Sequence, residues 1–371
     1  MTCKRRLADA AITTRLENPV AKRKKKQLPK DFESLLEKRD VEELKILFDT
    51  CDINARGGFY KQIALAFHQC PDELARWLVE RGADLAAVDR FGDTPLHSRS
   101  RHWNGRIEVL LELGADVNHG EGENLQGTPL HAAAGAYQVA TAGLLLRHGA
   151  HVDARNRERQ TPLEYALQRC SNMNIEDMAA LAELLLAAGA RKTPAMKAFV
   201  ARIGSDFEFH RSNFNPDFLD ATSAALDRLY VLFEVPPAPR RILHDGKSPI
   251  ALRSARWEDQ HRELWELLVP SSGAARTVQG EVVRIAGRIH DELERNGGIN
   301  WDREYKRMAD AFLVHLSSGK PLAESLLIEA REIVAKIKRK NGDTRRLCEL
   351  GVNWVALNPK PLKLPTPDYN R

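Results

Sequence analysis

No apolar run in this chain approaches the roughly 18 residues that a membrane-crossing helix needs. The longest candidate, Met178 to Ala190, is interrupted by Glu183, and no membrane association is expected. Cysteine is also sparse: Cys3, Cys51, Cys70, Cys170 and Cys348 are odd in number and scattered, with no CxxC pair and no secretory leader ahead of them. That usage argues against a disulfide framework and suits a reducing cytoplasm. His68 and Cys70, with Cys51 behind them, lack the two paired ligand spacings of a zinc site, so no metal or other cofactor is expected.

Catalytic signatures are missing too. The chain contains no HExxH, no GxSxG and no Ser-His-Asp set in a recognisable context. Gly246-Lys247-Ser248 looks like the end of a phosphate loop, but Arg241 stands where that loop requires Gly, and Pro249 follows. Gly120-Glu121-Gly122 has the wrong spacing for a dinucleotide fingerprint. The expectation is a protein that is not an enzyme.

What is present suits a globular chain: 371 residues at 43% hydrophobic content allow two or three domains with buried cores. Charge is unevenly placed. Residues 1–30 carry ten Lys/Arg against Asp9 and Glu17, and residues 331–371 carry ten against four acids, whereas residues 31–330 hold 36 basic and 45 acidic side chains. Residues 1–29, with Lys22-Arg23-Lys24-Lys25-Lys26, show no periodicity and read as a disordered basic arm. Such an arm either solubilises the chain, contacts an anionic surface or nucleic acid through salt-sensitive electrostatics, or directs import into the nucleus of a eukaryotic cell.

A cue then recurs in frame. Thr94-Pro95-Leu96-His97, Thr128-Pro129-Leu130-His131 and Thr161-Pro162-Leu163-Glu164 lie 34 and 33 residues apart. Thr is placed to cap a helix, Pro fits its first position, Leu turns to the core, and His is expected to bond neighbouring backbone. A Leu-rich second helix precedes Gly82, Gly114, Gly149 and Gly189, each placed as a left-handed stop. This set of features resembles the ankyrin repeat, a unit of about 33 residues built of a β-turn and two helices.

The resemblance covers residues 30–203 and implies an all-α repeat solenoid. Leu28 to Thr50 read as its N-terminal cap. The pattern departs in three places: Lys61-Gln62-Ile63-Ala64 stands where the first Thr-Pro cue belongs, Ser98 to Trp103 replaces the usual Ala-Ala and Gly-His, and about seven extra residues fall near Gln168 to Asp177. The helical period is expected to break from Ser205 to Pro216, and residues 204–371 are expected to form an all-helical module with a basic tail. Its helices fall near 216–234, 257–268, 275–295, 301–316, 322–338 and 344–350. Gly280 and Gly287, seven apart, share one helix face and favour close helix approach. Glu281, Arg284, Arg288 and Asp291 form a polar face, either solvated and laced with ion pairs or lining an anion or substrate pocket.

Ankyrin arrays bind other proteins through hairpin tips and first-helix faces, so the resemblance implies a protein partner. Carried onto this chain, the tips are 56–60, 89–93, 120–126 and 155–160. The expected contact residues are Phe59, Tyr60, Arg90 and Phe91 on the first two, and Arg155, Arg157 and Arg159 on the fourth. Arg99, Arg101 and Trp103 join them from the irregular segment, with Trp103 alternatively filling a packing gap. Arg and aromatic residues are the types most enriched in binding hot spots. Three functions compete: a non-enzymatic binder, in the manner of a bacterial immunity or antitoxin-like protein; an effector or enzyme acting through residues 204–371; and a nucleic-acid-associated regulator using residues 1–29.

Overall fold

The structure, a computed structural model, describes residues 23–120, 122 and 127–371. They fall into two compact units. The first comprises residues up to 166 together with 180–191, the second residues 167–179 together with 192–371.

The first unit opens with β1 (Lys25–Gln27), α1 (Phe32–Lys38), α2 (Val41–Thr50), β2 (Cys51–Gly57) and β3 (Gln62–Ile63). β1 runs parallel to β2, and β2 antiparallel to β3. The inner end of the expected disordered arm is therefore ordered: Lys25–Gln27 is a strand, Leu28 N–H donates to the Arg56 carbonyl at 3.0 Å, and Leu28 is buried. The arm up to Lys22 lies outside the described residues. After β3 comes only a 3-10 turn (Ala64–Ala66), where a repeat would place its first helix. This is the unit without a Thr-Pro cue, so no Thr oxygen is present to take up the free N–H groups of a helix start.

The remaining elements of the array are α3 (Asp72–Glu80), α4 (Pro95–Ser100), α5 (Glu108–Glu112), α6 (Pro129–Gly135), α7 (Val139–Arg147), α8 (Pro162–Arg169) and α9 (Ile175–Ala187). At each cue Leu96, Leu130 and Leu163 are fully buried. His97 Nδ1 accepts from the Thr94 N–H (3.3 Å) and faces its hydroxyl, while Nε2 meets the Gly127 carbonyl 3.0 Å away in the next repeat. His131 repeats this with Thr128 and the Gln160 carbonyl. Nε2 must then carry the proton, and burial holds the His97 pKa down to about 4. Gly82, Gly114, Gly149 and Gly189 all have φ between +87° and +95°. The Ala after each one donates back to a helix carbonyl, Leu78, Leu110, Leu145 and Leu185 respectively. A second tie sets the spacing between repeats: Asn54 and Asn118 each accept from one backbone N–H of the following unit and donate to its stop-Gly carbonyl.

The second unit is built on α10 (Pro194–His210), α11 (Pro216–Phe233), α12 (Trp257–Leu268), α13 (Val278–His290), α14 (Arg303–Leu316), α15 (Glu324–Ile337) and α16 (Thr344–Leu357). The break expected at Ser205 does not occur. Met196, Val200, Ile203 and Phe207 continue one buried stripe at intervals of four, three and four, so α10 runs through to His210. The final helix likewise outruns its expected end, because Gly351 lets Val282 approach and Trp354 extends the buried face. α13 is buried along almost its whole length. A Cβ on Gly287 would lie 2.4 Å from Trp265, and one on Gly280 2.8 Å from the Ala275 Cβ, so both glycines serve close packing as expected.

The extra residues in the last repeat form a 3-10 turn (Asn172–Asn174). Arg202 anchors the segment before it, donating to the carbonyls of Leu167, Gln168 and Cys170.

Candidate protein-binding surface

The first two hairpin tips are welded by their backbone. Arg90 N–H donates to the Tyr60 carbonyl at 3.0 Å, and the Arg90 guanidinium reaches the Phe59 carbonyl at 3.3 Å. The Asp89 carboxylate shapes the second tip by accepting from the N–H groups of Phe91 (2.7 Å) and Asp93 (3.1 Å). On this frame the side chains form one cluster. Phe59 and Tyr60 meet edge to face at 5.3 Å, Tyr60 and Phe91 at 5.8 Å, and the Arg90 guanidinium lies 4.8 and 4.9 Å from the centres of the Phe59 and Phe91 rings. The cluster faces solvent: Phe59 is 70% exposed and Phe91 49%. Rings pre-ordered by their neighbours lose little entropy when a partner covers them.

Beside it lies a cavity of about 350 Å³, lined among others by Glu33, Tyr60, Phe67, His68, Arg101 and His102. His68 and His102 stack 3.4 Å apart. Burial lowers both pKa values, and for His68 the neighbouring His102 adds to the effect, so this wall is uncharged at neutral pH. Arg101 pairs with the buried carboxylate of Asp93 at 2.8 Å. Trp103 is 78% exposed, which rules out the packing role and leaves it on the surface.

Arg99 belongs elsewhere. It is fully buried and donates to the carbonyls of Leu65 (2.8 Å), Arg106 (3.1 Å) and Cys70 (3.3 Å). It is a scaffold residue and cannot touch a partner. The reason lies one repeat back, where a 3-10 turn replaces the first helix and leaves carbonyls without i+4 partners. A lost cue at residues 61–64, together with an arginine 34 residues after Leu65, was the available signal. Gly105 makes room for this arrangement, since a Cβ there would collide with the Arg99 carbonyl.

Arg155, Arg157 and Arg159 are exposed on the fourth tip, shaped by buried Asn156, whose side chain accepts from the Gln160 N–H at 2.9 Å. Two repeats separate them from the aromatic cluster. Most of the third tip, with Glu121 and Glu123, lies outside the described residues.

The polar face of α13 fits neither expectation. Glu281 and Arg284 are buried as a bidentate pair, with Arg284 Nη2 and Nε donating to Glu281 oxygens at 2.6 and 2.9 Å. The Tyr369 hydroxyl donates to Glu281 at 2.6 Å, and Arg284 donates to the Arg371 carbonyl. Burial opposes the Glu281 charge, but these donors outweigh it and hold the carboxyl below its ordinary range. The pair is sealed by residues 368–371 and presents neither a solvated face nor an open pocket. Arg288 is half-buried, and Asp291 is spent on Arg295.

Known proteins share the repeat portion. The family model for ankyrin repeats (many copies) matches residues 63–110, and the ankyrin repeat model matches residues 127–157. The rice protein named probable E3 ubiquitin-protein ligase XBOS34 is 31% identical over 148 residues, covering 39% of this chain and 25% of that protein. A Rickettsia felis protein named for ankyrin repeats is 38% identical over 110 residues, 28% of this chain and 48% of its own length. The Drosophila melanogaster neurogenic locus Notch protein is 36% identical over 104 residues, 27% of this chain and 4% of Notch. The chain thus spans at most about half the length of these relatives. Residues 63–157 carry ankyrin repeats, and among the described residues no helix is long and apolar enough to cross a membrane.

Proposed function

We propose that this ankyrin repeat protein acts by binding another protein, with Phe59, Tyr60, Arg90 and Phe91 as its anchor and Arg101 and Trp103 beside them. The observation that carries this reading is the solvent-facing aromatic cluster around Arg90, held rigid by hydrogen bonds between two successive tips. Arg155, Arg157 and Arg159 supply a second, basic contact along the array. In this reading the chain performs no chemistry itself and works by stoichiometric capture, as an immunity or antitoxin-like protein does. The ligase name of the rice protein belongs to a molecule of which this chain spans one quarter.

Affinity capture from the native cell, read by mass spectrometry, tests it. The full chain should enrich a partner that a Tyr60→Ala/Phe91→Ala/Arg157→Ala/Arg159→Ala variant loses. Hot-spot truncations of this kind cost about 2 kcal/mol or more each. Unchanged capture by a variant with an unaltered unfolding midpoint would refute the surface.

A further inference from the structure

The second unit contains a cavity of about 550 Å³ beside the last turns of α10 and α12, walled by the extended segment from Ala238 to Arg253. Its volume falls within the roughly 300–1,000 Å³ of small-molecule sites. The segment is pinned by Arg241, whose guanidinium donates to the carbonyls of Trp265 (2.8 Å), Glu266 (2.9 Å) and Val269 (2.6 Å) and covers the Phe209 ring at 4.1 Å.

Each acid on the lining accepts hydrogen bonds within the protein, and two of the three are paired with arginines outside the Arg240/Arg253 pair. Glu208 is buried and held bidentately by Arg211 at 2.9 and 3.1 Å. Glu266 pairs with Arg241 at 3.0 Å, and Glu263 accepts from the N–H groups of Arg253 and Ser254. Two cations remain: among the described residues, neither the Arg240 nor the Arg253 guanidinium has a carboxylate partner, and both are exposed on the lining. Ile242, 81% exposed among the described residues, adds an apolar wall.

We infer that this cavity binds a small phosphate monoester with an apolar body, its phosphate held by Arg240 and Arg253 and its body lying over Ile242. The two guanidinium forks match the three terminal oxygens of a phosphate monoester better than the two of a carboxylate, and they outnumber the one lining carboxylate, Glu263, that is held by backbone N–H groups and not by a cation. The inference is independent of the partner-binding surface.

Calorimetric titration of the full chain with phenyl phosphate, inorganic phosphate and benzoate tests it. Phenyl phosphate should bind one to one, more tightly than the other two. An Arg240→Gln/Arg253→Gln double variant should weaken it about tenfold or more, as expected for loss of charge-assisted hydrogen bonds. Ile242→Ser should weaken phenyl phosphate while leaving inorganic phosphate unchanged. Equal binding of all three anions overturns the inference, as does wild-type affinity in the double variant. So does an equal loss from Arg157→Gln/Arg159→Gln, which would mark the attraction as general to exposed arginine.

Discussion

Replacing Arg99 by Met keeps most of the aliphatic volume of the side chain and removes its donors. Three carbonyls, those of Leu65, Cys70 and Arg106, would lose bonds of 2.8, 3.3 and 3.1 Å. Each buried acceptor left without a partner costs about 1–3 kcal/mol. Part of that is returned, because the guanidinium is itself buried and pays a desolvation cost that lowers its pKa. The expected net loss is about 2–4 kcal/mol. It should be accompanied by faster amide hydrogen exchange across residues 63–71, where two of the three freed carbonyls lie. Arg99→Lys should recover little, since one ammonium cannot reproduce a fork that spans three carbonyls. Urea unfolding followed by circular dichroism gives the stability change, and exchange mass spectrometry gives its location. A Met variant within about 0.5 kcal/mol of wild type, with unchanged exchange over 63–71, would refute the scaffold role of Arg99.

Acid should weaken the array through His97. Its folded pKa is near 4, against about 6.5 in an unfolded chain, so below pH 6.5 the unfolded chain takes up a proton that the folded one refuses. Stability contributed by the neutral ring should therefore fall by about 3 kcal/mol as pH drops from about 6.5 to 4 and then level off. Urea midpoints across that range should show a slope that His97→Gln reduces, and equal slopes in both proteins would remove His97 as the cause. Gly287→Ala should destabilise the second unit by about 1–3 kcal/mol, because the added methyl would enter the Trp265 ring. A pairing of Gly287→Ala with Trp265→Leu that restores the thermal midpoint would identify that contact, and an unchanged single variant would contradict it.

Much of the array was legible because its signals are local. Thr94 and His97, or Thr128 and His131, sit three residues apart and interact wherever a helix starts, and each stop glycine acts on the turn it closes. The exposed tips at Phe59, Tyr60 and Phe91 were legible for a related reason, since residues between two capped elements project from the frame. Their mutual order around Arg90 was not, because it depends on a hydrogen bond across 30 residues. Arg99 was misplaced on the surface because arginine is rarely buried without an acid. The α10 boundary was misplaced because the acidic and aromatic residues after Ser205 hide a stripe that runs on to Phe207.

Sequence alone thus determined the repeat frame, the helix starts and stops and the residues offered at the tips, because backbone sterics and capping bonds act over three or four positions. Tertiary structure decided which charged groups are available. Arg99 meets Leu65 34 residues away, and Glu281 meets Tyr369 88 residues away. Whether such a side chain is spent inside the fold or left for a ligand depends on donors and acceptors that only folding brings together. The same spacing of Glu281 and Arg284 on α13 would serve a solvated face equally well. Burial beneath residues 368–371 makes it a core pair, while Arg240 and Arg253, unremarkable in the sequence, have no carboxylate partner among the described residues, Glu208 and Glu266 being paired with other arginines.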